Sequence, residues 1–212
     1  MNRLTRKIIE FSPSGLLSGQ DLATLLPEGD NKRQALIKRA IACGDLIHIR
    51  RGLYCLAPMY QKNRLSLHSF AQHIYGPSYI SLESALRWHN WIPEAVYSHT
   101  NVSLKNSKDF DTPVGLYSYR RVPQKTFYAG VARKTDDNGG VFLIASPLKA
   151  LVDYVYVHKC DWSGLDPVIE SLRVEMEDLE CLTSGEFDLI TDNYNSWRLQ
   201  HFCKGLRKDL KL

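Results

Sequence analysis

No run of apolar residues in the sequence exceeds five, Val141–Ala145 being one of that length. A membrane-spanning helix needs about 20, so none is expected. Cysteine is sparse and unpatterned. Cys43, Cys55, Cys160, Cys181 and Cys203 make an odd count with no Cys-x-x-Cys pair, which argues against a disulfide framework and against a thiolate zinc site. There is no Gly-x-Gly-x-x-Gly and no P-loop, so nucleotide-dependent chemistry has no foothold. The basic start Met1-Asn2-Arg3-Leu4-Thr5-Arg6-Lys7 is followed by no apolar core of a secretory signal. A reducing cytoplasm is the expected compartment, with no membrane partner and no cofactor. What is present is an ordinary globular composition, 44% apolar and 24% charged over 212 residues. That excludes wholesale disorder and allows one large domain or two small ones.

The charge is unevenly placed. The chain carries a net +4. Residues 1–58 hold nine basic and five acidic side chains, and residues 59–212 hold eighteen of each. All the net positive charge therefore lies in the first quarter, as in a polyanion-binding module joined to a neutral one. Within the neutral part, 169–192 carry eight acids against Arg173, and 198–211 carry five bases against one acid. Those two stretches read as solvated helix faces, with a binding patch as the alternative.

The element order in the first quarter is informative. Arg3 to Phe11 suits a short helix closed by Ser12-Pro13-Ser14-Gly15. Ser18 suits an N-cap before Gln20–Leu26, with Asp21 in the first turn where the helix dipole favours an acid. Asp30 or Asn31 is expected to cap a second helix, Lys32 to Cys43, stopped by Gly44. Leu46–Ile49, the turn Arg50-Arg51-Gly52 and Leu53–Ala57 read as a hairpin. This order is that of a winged helix-turn-helix. A junction is expected over Pro58–Arg64, and 65–212 as a second domain. There, helices are expected at Leu65–Tyr75, after Ser81, and from Leu148 to about Lys159 behind the Ser146-Pro147 cap. Strands are expected at Val96–Leu104, Val114–Val122, Thr126–Lys134 and Gly140–Ala145, with Asp137-Asn138-Gly139-Gly140 as a tight hairpin. A helix from Asp166-Pro167 to about Cys181 and two more, near 185–194 and 196–210, complete the chain. The fold class expected is α+β: an N-terminal winged helix-turn-helix and a C-terminal mixed domain with an antiparallel sheet and flanking helices.

Sided at 100° per residue, the second helix puts Leu36, Ile37 and Ala40 on one face and Asn31, Gln34, Ala35 and Lys38 on the other, flanked by Lys32 and Arg39. Asn and Gln bond adenine bidentately and Lys reaches guanine or phosphate, so this suits a major-groove surface. Arg33 falls nearer the apolar side, where it either reaches a phosphate or fills space. Arg50 and Arg51 at the hairpin tip suit a phosphate or minor-groove contact. An ordinary amphipathic helix with a wet face is the competing account of the helix alone; the hairpin and the local charge favour DNA.

The histidines say less. His68 and His73, five apart, point about 140° from one another and are poor joint metal ligands. His89 and His99 lack an acidic partner at a telling spacing, and Ser98-His99-Thr100 has no nucleophile elbow or oxyanion loop beside it. Trp88, Trp91, Tyr117 and Tyr119 read as core rather than as base-stacking platforms. A metal nuclease needs clustered carboxylates, and Asp109, Asp111, Asp136 and Asp137 are expected in loops. No enzyme activity, catalytic residue or metal site is expected.

Three stretches carry a resemblance. Cys43–Tyr54, with its Gly-Asp-Leu and Arg-Gly-Leu-Tyr, is one. Pro77–Leu86, with Ser-Tyr-Ile-Ser-Leu-Glu-Ser-Ala-Leu, is the second, and Ala145–Asp153, with Ser-Pro-Leu-Lys-Ala-Leu-Val-Asp, the third. In that order and spacing they resemble the AbiEi-type antitoxins of bacterial abortive-infection toxin–antitoxin systems, over about residues 15–160. Leu148 stands where the family usually has Glu. The resemblance implies a winged helix that represses its own operon by binding operator DNA. It also implies a C-terminal domain that counteracts a nucleotidyltransferase-like toxin, functionally rather than through a demonstrated complex. The helices after Ser81 and Ser146 are then the expected antitoxin surface, with Ser81, Glu83, Ser146, Lys149 and Asp153 its candidates. Lys149 and Asp153 also fit a plain i,i+4 surface pair. A palindromic operator would favour a homodimer on DNA. The alternatives are a regulator without a toxin partner and a DNA-targeted nuclease.

Overall fold

Helix α1 (Arg3–Phe11), strand β1 (Leu16–Ser18), helix α2 (Gly19–Leu25), helix α3 (Asp30–Ala42) and strands β2 (Leu46–Arg50) and β3 (Leu53–Leu56) form the first quarter of the chain. The computed structural model describes residues 3–12, 15–62, 65–137 and 139–212. The expected helix stop at Pro13-Ser14, the end of the junction at Asn63-Arg64 and the hairpin residue Asn138 lie outside them. Ser18 caps α2 as expected: its Oγ accepts from the Asp21 amide at 3.1 Å while the Asp21 carboxylate accepts from the Ser18 amide at 2.7 Å. The cap expected for α3 differs. Asp30 is the first helical residue, and Gly29, at φ 42°, occupies the capping position with no side chain to offer.

β1 was not visible in the sequence, because three residues are too few for an alternation. It pairs antiparallel with β3, giving the order β1-β3-β2. Every residue of β3 is buried, and its alternation explains why. Tyr54 and Leu56 face α1–α3, in a cluster with Leu4, Ile8, Leu17, Leu22, Ile37 and Leu46. Leu53 and Cys55, with Ile49, belong to the larger cluster that continues through the rest of the chain. The first sheet thus has apolar cover on both faces.

The second sheet has the order β6-β7-β5-β4-β9-β8. Its strands are β4 (Ser78–Ile80), β5 (Ser98–Ser103), β6 (Lys108–Thr112), β7 (Gly115–Arg121), β8 (Val131–Thr135) and β9 (Val141–Ala145). The expected antiparallel sheet is found in part. β4/β5, β6/β7 and β8/β9 pair antiparallel, but β4/β9 and β5/β7 pair parallel, so the sheet is mixed. β4 and β6 are additions. Asp109 and Asp111, expected in a loop, lie on β6. Residues 126–130, expected to be strand, form a turn before β8.

Helix α4 (Leu67–Ile74) covers the face carrying Tyr117 and Tyr119, whose hydroxyls donate to the carbonyls of Leu67 and Ala71 at 2.7 and 2.6 Å. Helices α5 (Leu82–Trp88) and α6 (Pro147–Val157) pack against each other, and α6 covers the face carrying Tyr79. Trp91, Tyr117 and Tyr119 are core residues, as their sequence setting implied. The tail is α7 (Asp166–Leu172), α8 (Met176–Glu180), α9 (Ser184–Thr191) and α10 (Trp197–Asp209). The single helix expected from 166 to 181 is broken at Arg173, which takes a left-handed φ of 54°. No helix among the described residues is long and apolar enough to cross a membrane.

Candidate nucleic-acid interface

Helix α3 has a wet face and a dry one. Ile37 and Ala40 are buried and Leu36 and Ile41 partly so, against Leu22 and Leu46. Opposite them Asn31, Lys32, Gln34, Lys38 and Arg39 are all exposed. Asn31, Gln34 and Lys38 form one row, Lys32 and Arg39 a second, and the small Ala35 lies between them. The ion pairs of the described residues engage none of the five. Amide and cationic ends on a helix with a shallow centre can approach base edges and phosphates together. Arg33 takes no part. It is turned back to Asp30 and, at 3.4 Å, to the Leu26 carbonyl.

The β2–β3 turn separates the two arginines that the sequence placed together. Arg51 is exposed beside Gly52, whose φ of 74° makes the tight turn. Arg50 is not at the tip. Its guanidinium donates to the Ile74 carbonyl and lies 5.4 Å from the Phe110 ring centroid, both in the stretch from residue 65 onward, the second unit as distinct from residues 3–56, the first. The cause is a bulge. Simple alternation from Leu46 and His48 would put Arg50 on the α3 side, but the register shifts between His48 and Arg50, and Arg50 then pairs with Leu53. A bulge re-aims the side chains that follow it, and here it converts an expected DNA contact into a bond between the two units.

The expected antitoxin surface needs a larger correction. Ser81, Lys149 and Asp153 are fully buried and cannot present a surface. Asp153 accepts from Tyr79 and Ser81 at 3.0 and 2.8 Å on Oδ2, and from Tyr194 at 2.6 Å on Oδ1. Lys149 Nζ donates to Gln124 at 2.5 Å and to the Tyr194 hydroxyl at 3.0 Å, and it lies 5.1 Å from the Tyr79 and Tyr194 ring centroids. Tyr194 therefore bridges the two charges. Burial pushes the Lys149 ammonium below the ordinary lysine range, with Asp153 pulling the other way. Burial, then Asp153, push the Tyr79 and Tyr194 phenols well up. A signal for this was available: Lys149 and Asp153 are the only charged residues of α6, whose other positions are Pro, Leu, Ala, Val and Tyr, and a helix so apolar is a buried one. Ser81 spends its hydroxyl on Asp153 and does not cap α5. Ser146 does cap α6, its Oγ accepting from the Lys149 amide at 3.4 Å. Glu83 is partly exposed and accepts from His158 at 2.9 Å. Burial raises its carboxyl, but the His158 hydrogen bond, a backbone hydrogen bond, the His158 charge and Thr100 together outweigh that and leave it below the ordinary carboxylate range.

Of the histidines, His68 and His99 come together and line a pocket of about 420 Å³, with Arg87 and Trp88 in its wall. His68 lies 5.5 Å from His99 and 5.3 Å from Trp88, ring centroid to centroid. Burial, then the neighbouring His68, push His99 down to about 4. Between 6.5 and about 4 the unfolded chain binds a proton at His99 that the folded chain refuses, so stability is lost as pH falls across that window. We expect the melting temperature to fall over this range and His99→Gln to flatten the dependence; an equally steep fall in the variant would clear His99 of the effect. Among the described residues, no three His, Cys, Asp or Glu side chains are grouped to hold a metal ion. Asp109 is engaged by Arg120 at 2.7 Å. Comparison of the chain with protein-family models and with curated proteins finds no match.

Proposed function

We propose that the first unit is a winged helix-turn-helix that binds duplex DNA, with α3 in the major groove and Arg51 on the backbone beside it. The observation that carries this reading is the exposed double row Asn31, Gln34, Lys38 and Lys32, Arg39 on the helix whose other face is core. The short α2–α3 connection and the β1-β3-β2 sheet beyond it fit a helix held out for groove entry. We propose further that the chain is the antitoxin and autorepressor of a toxin–antitoxin operon, its second unit counteracting a nucleotidyltransferase-like toxin. That part is supported by the three resembling stretches, two of which converge: Tyr79 and Ser81 of one meet Asp153 of the other. A network on those motif positions makes them the frame of the second unit, so toxin antagonism belongs to other, exposed residues of it.

Binding of the full chain to a labelled duplex from its own promoter tests the DNA reading. Gln34→Ala is expected to relax preference by about 1–3 kcal/mol at one or two base pairs. Arg51→Ala should weaken all sequences alike and flatten the slope of log K against log salt by about 0.9. Wild-type affinity and slope in both variants and in Lys38→Ala would remove DNA from the reading. The operon reading predicts a nucleotidyltransferase-like gene immediately downstream, and rescue of cells expressing it by the full chain.

A further inference from the structure

We infer that Lys105, Lys108 and Arg121, on the edge of the second sheet beside the β2–β3 turn, extend the phosphate-binding surface across the junction, so that a duplex is held by both units. This rests on the DNA reading above. By count, 59–212 is electrically neutral. Strand alternation sorts that neutrality by face.

On β6 and β7, Lys108 is opposite Tyr119 and Phe110 is opposite Tyr117, while Ser103 of β5 is opposite Arg121. Directly paired residues share a face, so Lys108 and Arg121 lie on the face of Phe110, Tyr117 and Tyr119. The acids of β6, Asp109 and Asp111, point to the opposite face, where Asp109 meets Arg120. The result is one face of the edge that is cationic and another that carries Asp109, Asp111 and Arg120. Lys105, in the loop after β5, joins the cationic side: its Nζ lies 5.1 Å from the Tyr75 ring, and Tyr75 lies 5.3 Å from Phe110.

This cationic face abuts the turn. Arg50 and Lys108 sit 5.4 and 5.1 Å from the same Phe110 ring centroid, which makes them neighbours, and Arg51 is the next residue along. Lys105, Lys108 and Arg121 are all exposed, and the segment carrying them is fixed. Tyr75 donates to the Asn106 carbonyl at 3.2 Å, and Ser107 Oγ accepts from the Arg121 amide at 3.0 Å. The Tyr75 and Phe110 rings lie under the Lys105 and Lys108 ammonium groups and hold both cations in place on an exposed surface. A row of fixed cations that begins at a proposed phosphate contact suits the continuation of the same strand of phosphates.

The test uses the full chain and the promoter duplex above. If each cation neutralises one phosphate, Lys105→Ala/Lys108→Ala/Arg121→Ala should flatten the log K against log salt slope by about 2.7 and leave base preference unchanged. Arg121→Gln alone, which disturbs no ring contact, should flatten it by about 0.9. A wild-type slope in both variants, with Lys38→Ala weakened, overturns the extension and leaves the DNA reading standing. A wild-type slope in all three overturns both.

Discussion

Asp153→Ala is expected to destabilise the chain by about 3–5 kcal/mol, the usual cost of stripping one partner from a buried charge pair. Lys149 is fully buried with it, and without the carboxylate its charge has no counterion within the network. The same change removes the acceptor of three hydroxyls, those of Tyr79, Ser81 and Tyr194, each of which costs free energy when left unbonded. Lys149→Met should cost less: it removes the charged end and leaves Asp153 with its three donors. Combining Lys149→Met with Asp153→Leu should recover much of the single Asp153 loss, because a packed apolar pair in place of a buried ion pair is often neutral. Urea unfolding of the wild type, Lys149→Met, Asp153→Leu and the double variant closes the double-mutant cycle. A loss below about 1 kcal/mol for Asp153→Ala would mean that Lys149 reaches water or is neutral without its partner. A network of this kind joins β4, α6 and the segment before α10, elements far apart in sequence, and pins them in one arrangement.

What the sequence discloses here is local, and what it conceals depends on contacts made at a distance. The Ser18 cap with Asp21 in the first turn, the two faces of α3 and the turn at Gly52 all follow from neighbouring residues, and all are found. β4 was hidden because Ser78–Ile80 is buried in the middle of a sheet and too short to alternate. β6 was hidden because Lys108-Asp109-Phe110-Asp111-Thr112 is a polar edge strand, whose charges resemble those of a loop. Lys149 and Asp153 have the spacing of a solvated pair, and only their apolar helix argues otherwise. Arg50 is the instructive case: nothing in Ile49-Arg50-Arg51 announces a bulge, yet the bulge decides which arginine faces solvent.

The same bulged edge carries the second large effect. Leu53→Ala is expected to cost about 2–5 kcal/mol as a large-to-small change in a core, and its consequence should be uneven along the chain. Leu53 belongs with Ile49 and Cys55 to the larger apolar cluster, while its neighbours Tyr54 and Leu56 belong to the core of the first unit. Shortening Leu53 therefore weakens the seam between the units and spares the interior of the first. Calorimetry should show the first unit melting ahead of the second in the variant. Leu17→Ala, confined to the smaller cluster, should lower the stability of the first unit without touching the seam. The seam also fixes the distance from α3 to Lys108, since Arg50 bonds the Ile74 carbonyl across it. Loosening it should weaken promoter binding in Leu53→Ala while leaving base preference as in the wild type. If Leu53→Ala unfolds at the wild-type temperature and binds the promoter with wild-type affinity, the two units are not coupled through this face.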